Sequence, residues 1–240
     1  MSAMASLAGL DGVSSADGVS LDALAAETRG GPDDAGRVLP TRAELAAVLP
    51  WPGLRRGSTV AVHDSVSLLF ALLSEVTASG SWAAVVGLPG ISLVAAAEAG
   101  VELSRLAVVP RPGNDPVGVV AALLDGVDVV AVGGTRQVPD QDARRLSARA
   151  RNRGSVLLPF GGWPGAEVRL RCTDAGWRGL GRGHGHLRER EVTVRAAGRG
   201  AVSRGRSCRL LLPGPGGAAA PLPEERRPAA VRPGLRPVAG

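Results

Sequence analysis

The feature that most constrains this chain is a rhythm that begins at Gly57 and runs to Phe160. Short runs of Val, Ala and Leu alternate there with longer segments of helical apolar period. Strands that read as unbroken apolar runs are buried on both faces, and the helices between them supply the covers. The pattern predicts strand 58–62, helix 66–79, strand 82–87, helix 92–99, strand 105–109, helix 116–125, strand 127–132, helix 140–153 and strand 155–160. Right-handed crossovers wind such a series into a doubly wound α/β sheet, mainly parallel and flanked by helices. A chain with four Trp, two Phe and no Tyr must fill its core with small aliphatic side chains, which suits helix-on-sheet layers better than an aromatic-rich sandwich.

After Pro164 the period changes. AEVRLRCT, HLREREVTVRA and SCRLLLP alternate or cluster apolar residues at strand length, with arginine filling the other face of the first two. They predict antiparallel strands with one wet, basic face, added at an edge of the sheet near the C-terminus. At the other end, Thr41 followed by Glu44 predicts a capping box on a short helix ending near Leu49, stopped by Pro50 and Pro52. Residues 1–38 lack a sustained period and predict a mobile arm with at most one short helix near Ser20 to Glu27. Residues 39–213 form the expected core domain, and 214–240, rich in Pro, Gly, Ala and Arg, the expected disordered tail.

The first strand, turn and helix, GSTVAVHDSVSLLFALL, occupy the place where a P-loop protein holds its nucleotide. A working P-loop follows GxxxxGK[ST], with backbone N–H groups wrapping the phosphates, a Lys on the β and γ oxygens and a hydroxyl for magnesium. Here only His63, Asp64, Ser65, Val66 and Ser67 separate Val62 from Leu68, too few to wrap a triphosphate. Val66 stands nearest the lysine position, and Asp64 sets a negative charge where phosphates would enter. Ser65 and Ser67 read as helix caps ahead of anion ligands. The later strand, GVDVVAVGG, ends in Gly133 where an ATPase places its magnesium-side aspartate, and Asp128 opens that strand instead. Loss at both halves of one site predicts a protein that is not an enzyme and takes no cofactor.

Charge is uneven along the chain. Residues 1–143 hold 8 Arg against 16 acids, and 144–240 hold 20 Arg against 6 acids; no residue is Lys. The basic half reads either as a solvated face or as a surface for nucleic acid or an acidic partner. In the second reading Arg144, Arg145, Arg149, Arg151, Arg188 and Arg190 are the candidate phosphate or partner contacts. Trp163 and Trp177, both in turn-rich sequence, are either packed anchors or interface residues. His184 and His186 in GHGHLRERE have His-x-His spacing but no paired Cys or acidic cluster, so a Gly-rich turn is expected there and no metal site. Cys172 and Cys208 read as reduced thiols. MSAMASLAGLDG lacks a basic n-region, and the apolar run from Trp82 to Val101 is broken by Pro89, Gly90 and Glu98, so the expected location is cytoplasmic.

The order LRRGSTVAV, apolar helix, SWAAVVG, LVAAAEAGVELSRLAVVP, VVAALLDGVDVVAVG resembles the core of the RecA family. LPTRAELAAVLPWPGLRRGSTVAV, SWAAVVG, GGWPGAEVRL and GHGHLRERE further resemble the actinobacterial RecA-like proteins of the ImuA-prime type, over residues 39–213. This resemblance implies a RecA-like fold and a role in DNA damage tolerance: an accessory factor of SOS-induced, error-prone translesion synthesis. Its implied partners are the polymerase-like protein ImuB and a C-family error-prone polymerase. The ATP site does not carry over, because Val66 and Gly133 hold the lysine and aspartate positions, and Gly133 to Pro139 is too short for a DNA-binding loop. The leading expectation is therefore a non-catalytic adaptor. The alternative is a sequence-independent nucleic-acid-binding module built on the Arg-rich half.

Overall fold

Every apolar run expected to be a strand between Gly57 and Phe160 is one in the computed structural model, which describes residues 14–15, 37–181, 184–198 and 205–223. Before the core come β1 (Ser14–Ser15), β2 (Val38–Leu39), α1 (Ala43–Ala46) and β3 (Leu54–Arg55). The alternating series is β4 (Val60–His63), α2 (Val66–Ala78), β5 (Ala83–Val86), α3 (Leu93–Glu98), β6 (Leu106–Val109), α4 (Pro116–Gly126), β7 (Val129–Val132), α5 (Asp140–Arg153) and β8 (Val156–Pro159). Then follow β9 (Val168–Gly181), β10 (His184–Gly198), β11 (Arg206–Leu211) and β12 (Ala220–Pro221).

The helices start where short polar side chains can accept the first free N–H groups. Ser65 caps α2 through Leu68 N (3.2 Å), Ser92 caps α3 through Ala95 N (3.2 Å), and Asp115 caps α4 through Gly118 N (2.8 Å). Gly154, at φ 73°, ends α5 in the left-handed conformation that favours glycine.

Two hydrogen-bonded sets, β1-β6-β5-β7-β8 and β12-β11-β10-β9-β4, meet through parallel bridges at Thr59–Leu157 and Val62–Phe160. The first strand of the series, β4, thus lies inside the sheet, between β8 and β9. Strands β4 to β9 are parallel wherever they pair, β10 is antiparallel to β9, and β11 is antiparallel to β10. One side of the sheet packs Val60, Val62, Val168, Leu170, Val192 and Val194 against α2, whose Leu68, Leu69, Leu72 and Leu73 are fully buried. The other packs Ala61, Ala84, Val86 and Val130 against α4 and α5.

Four expectations change. The segment AEVRLRCT becomes β9, which runs parallel to β4 because the loop from Phe160 to Glu167 returns along β4: Gly161 N bonds Val62 O (2.8 Å) and Glu167 N bonds Thr59 O (3.0 Å). The capping box does not form. Helix α1 is a single turn preceded by Arg42, which makes no side-chain cap; Glu44 pairs instead with the Arg42 guanidinium at 3.8 Å. The ordered chain also runs past Pro213, since Ala219 is buried and Ala220–Pro221 pairs with β11. Gly217 lies against α3, where a Cβ would sit 2.7 Å from Glu98 Cβ. Finally, within the stretch GHGHLRERE, expected as a Gly-rich turn, residues 184–191 are strand, His184 already pairing with Gly181, and Gly183 lies outside the described residues. In the N-terminal arm, Ser14–Ser15 pairs with β6. The helix expected near Ser20 to Glu27 and the tail from Glu224 lie outside the described residues.

Candidate functional site

In open α/β sheets ligands bind beyond the carboxyl ends of the parallel strands. Here that rim is formed by His63 to Ser65 after β4, Gly87 to Ile91 after β5, Gly133 and Gly134 after β7, and Phe160 to Gly162 after β8. It holds His63, Asp64, Ser65 and Gly133 of the degenerate nucleotide site, and Val66 and Ser67 follow in the first turn of α2. The connection from β4 to α2 is two residues long, and Asp64 turns the chain at φ 56°, a left-handed conformation that Asp tolerates better than most residues. Ser65 is buried and spends its oxygen on the Leu68 N–H, as a cap should. Val66 is 38% exposed, so an apolar side chain stands in water at the lysine position.

Gly133 is held by packing. Its N–H bonds Val86 O (2.8 Å), and a Cβ there would lie 2.3 Å from Gly87 O and 2.6 Å from Leu88 Cδ2. Any side chain, including a metal-binding aspartate, collides with the turn after β5. Asp128 lies at the opposite end of β7, where it joins Arg56 Nη2 (2.6 Å) and accepts from Trp82 N (2.9 Å). It is structural and remote from the rim.

His63 occupies the last position of β4, in register with Arg171. Its pKa is lowered, first by burial and then by the positive charges of Arg171 and Arg169, against the opposing pull of Asp64. Burial and the neighbouring guanidinium groups thus favour the neutral imidazole. Asp64 Oδ2 lies 3.9 Å from Arg171 Nη2. Among the described residues no three His, Cys, Asp or Glu side chains converge to hold a metal. The side chains of His184 and His186 lie outside that set.

The candidate contact residues do not form one patch. Arg144 and Arg145 lie exposed on α5, with Arg145 3.4 Å from Asp142. Arg149 and Arg153 both bind Asp125, whose burial opposes ionisation but whose pKa is nonetheless lowered by these guanidinium partners. Arg151 lies 4.0 Å from Glu167. Trp163 is no surface residue: it is 6% exposed, packs beneath α5 and donates from Nε1 to Ser147 Oγ at 2.9 Å. Trp177 is 51% exposed, with the Arg190 guanidinium 5.9 Å from its ring centre. Arg188 is exposed on β10, at the far end of the molecule's longest strand pair.

Cys172 and Cys208 are free thiols on opposite sides of Val194, which pairs with both. Two strand spacings, roughly 9.6 Å, separate them, too far for a disulfide. Burial pushes the Cys208 thiol up to about 11, aided by Glu44 and Cys172. Burial also raises Cys172, partly offset by its hydrogen bond with Ser65 and by the charge of Arg190. Alkylation at pH 8, followed by mass spectrometry, should modify Cys172 before Cys208, with Cys208 on the order of 100-fold slower than an unperturbed thiol. Equal labelling of both at the rate of free cysteine would contradict this.

The strand order, the central β4 and the helices on both faces define a RecA-like fold. Among solved structures the RadB recombinase superposes with a TM-score of 0.53 at 13% identity, over 70% of this chain and 92% of RadB. At that identity the likeness concerns the fold alone. Residues 47–165 match the family model described as the MT3502 N-terminal domain. The uncharacterized protein Rv3395c of Mycobacterium tuberculosis (strain ATCC 25618 / H37Rv) is 42% identical over 156 residues, 64% of this chain and 72% of that protein. The chain belongs to the family of Rv3395c. No helix among the described residues is long and apolar enough to cross a membrane.

Proposed function

We propose that this protein is a non-catalytic RecA-like adaptor in an error-prone translesion synthesis assembly, joining an ImuB-like polymerase homologue and a C-family error-prone polymerase. The observation that carries the non-catalytic part is the closed rim: Gly133 lies flush on Gly87 and Leu88, and a two-residue turn capped by Ser65 replaces a phosphate cradle. The translesion role rests on the ImuA-prime resemblance, while the relative Rv3395c supports the family alone. A scaffold relieved of nucleotide chemistry retains its surfaces, and large exposed apolar side chains are few. Among the described residues they are Val66, Leu93, Val94 and Trp177. Trp177 is the natural anchor, since exposed Trp and Arg pairs dominate binding energy at protein interfaces.

Co-purification with the ImuB-like protein tests the reading, comparing the full chain with a chain ending at Pro223, which keeps β12. Capture of both places the contact on the folded core, and capture of neither removes the adaptor reading. Trp177→Ala should weaken capture by about tenfold, in the range of an interface hot spot, while leaving the melting temperature unchanged. Trp163→Ala should do the reverse, destabilising the fold by about 3 kcal/mol through lost packing. Saturable binding of magnesium-ATP by the full chain would count against the non-catalytic part alone.

A further inference from the structure

The second half of the sheet has one covered face and one open face. Alternation along β9, β10 and β11 sends Val168, Leu170, Val192, Val194 and Leu210 to the α2 side, where all are buried. The intervening residues face the other way. On that side the apolar cluster beneath α4 and α5 includes Ala61 of β4 but, among the described residues, none of β9, β10 or β11, and Leu211 at the end of β11 is the one buried side chain of this face among them. The open face carries Arg169 and Arg171 on β9, Arg195 on β10 and Arg209 on β11, all exposed.

Register brings these guanidinium groups together. Arg195 stands directly opposite Arg171, and Ser207 flanks Arg195 on its other side. One step along, Thr193 lies between Thr173 and Arg209. Arg195 donates from Nε to Thr173 Oγ1 at 3.2 Å, Arg209 pairs with Glu191, and Arg171 lies 3.9 Å from Asp64. Like charges directly opposite on neighbouring strands destabilise a sheet, and a solvated face needs only polar residues there. A bound polyanion turns that local repulsion into attraction.

We infer that this open sheet face binds the sugar-phosphate backbone of nucleic acid, with Arg169, Arg171, Arg195 and Arg209 as the phosphate contacts. Guanidinium groups suit phosphate through paired N–H donors, and the hydroxyls between them suit its remaining oxygens. None of the large exposed apolar side chains among the described residues belongs to this face: Val66, Leu93 and Val94 are elsewhere, and Trp177 stacks with Arg190, which alternation puts on the side of Val192. The face therefore lacks the apolar anchors of a protein interface and of a lipid-inserting surface. Without an aromatic platform it stacks no bases, so recognition is indifferent to sequence and strongly salt-dependent.

The experiment is fluorescence anisotropy of a labelled oligothymidylate with the full chain at 50 and 200 mM salt. Arg171→Gln/Arg195→Gln should weaken binding on the order of tenfold at the lower salt and flatten the log–log salt slope by about 1.4, at ~0.7 per phosphate contact. Arg144→Gln/Arg145→Gln on α5 should bind like wild type. The sheet-face variant should melt close to wild type, because relief of the like-charge pair offsets the exposed Arg195–Thr173 and Arg171–Asp64 contacts it gives up, so lost binding is not lost folding. It should also co-purify with the ImuB-like partner as wild type does, which scores this inference separately from the adaptor reading. Undiminished binding by the sheet-face variant overturns the inference, as does no binding by wild type at 50 mM salt. Wild-type binding to poly-glutamate but not to the oligonucleotide assigns the face to an acidic polypeptide and overturns it equally.

Discussion

Gly133→Asp, the substitution that restores a carboxylate at the magnesium-side position, is expected to destabilise the protein by about 3 kcal/mol and to confer no ATP turnover. The clash begins at the Cβ, 2.3 Å from a backbone carbonyl oxygen of the neighbouring turn, and backbone cannot swing aside as the end of a flexible side chain can. Gly133→Ala should therefore cost nearly as much as Gly133→Asp. That equality separates packing from charge, since a cost peculiar to the carboxylate would spare alanine. Gly134→Asn is the contrast: Gly134 needs glycine for its φ of 62° and has room around it, and Asn tolerates the left-handed region, so the loss should stay near 1 kcal/mol. Thermal denaturation of the three variants checks the order. A stable Gly133→Asp protein would mean that the turn after β5 moves freely, reopening the rim to a ligand.

This explains which parts of the site were legible in the sequence. The missing lysine and aspartate could be read by position, and Ser65 could be assigned as a cap, because both follow from local spacing. The reason for Gly133 could not. It depends on β5 and β7 being neighbours in the sheet, a fact of topology that no residue near Gly133 reports. The same limit governs the arginines. Arg149 looked like an available charge on a helix, yet Asp125, at the end of α4, takes both it and Arg153. Trp163 sat in a turn-rich sequence, but that turn returns along β4 and tucks the indole beneath α5. Arg169, Arg171 and Arg195 went unselected although the alternation in AEVRLRCT and EVTVRA carried their signal, while Arg209 sits in SCRLLLP, where no alternation marks it. Alternation shows that a face is basic; register alone shows that Arg171 and Arg195 stand opposite one another. The parallel course of β9 was hidden for a related reason, because strand alternation is the same in either direction.

Arg56→Met is expected to cost about 2–3 kcal/mol, the largest loss from removing a single charge among the described residues. Asp128 is 5% exposed at the amino end of β7, held by Arg56 at 2.6 Å and by the Trp82 N–H at 2.9 Å. Without the guanidinium the carboxylate stays buried with one neutral donor, and the uncompensated charge carries the penalty. Arg56 is itself 33% exposed, so water reaches its guanidinium and the loss falls below that of a fully enclosed pair. Asp128→Asn should cost less than Arg56→Met, because the amide oxygen still accepts from Trp82 and no unpaired charge is buried. Combining the two substitutions should therefore recover at least 1 kcal/mol relative to their sum, the coupling expected of groups in direct contact. Urea denaturation of the four proteins measures that coupling. Strict additivity would show that Arg56 acts through packing alone, and that the amino end of β7 is held by its backbone bonds to Trp82 and Val156 without the ion pair.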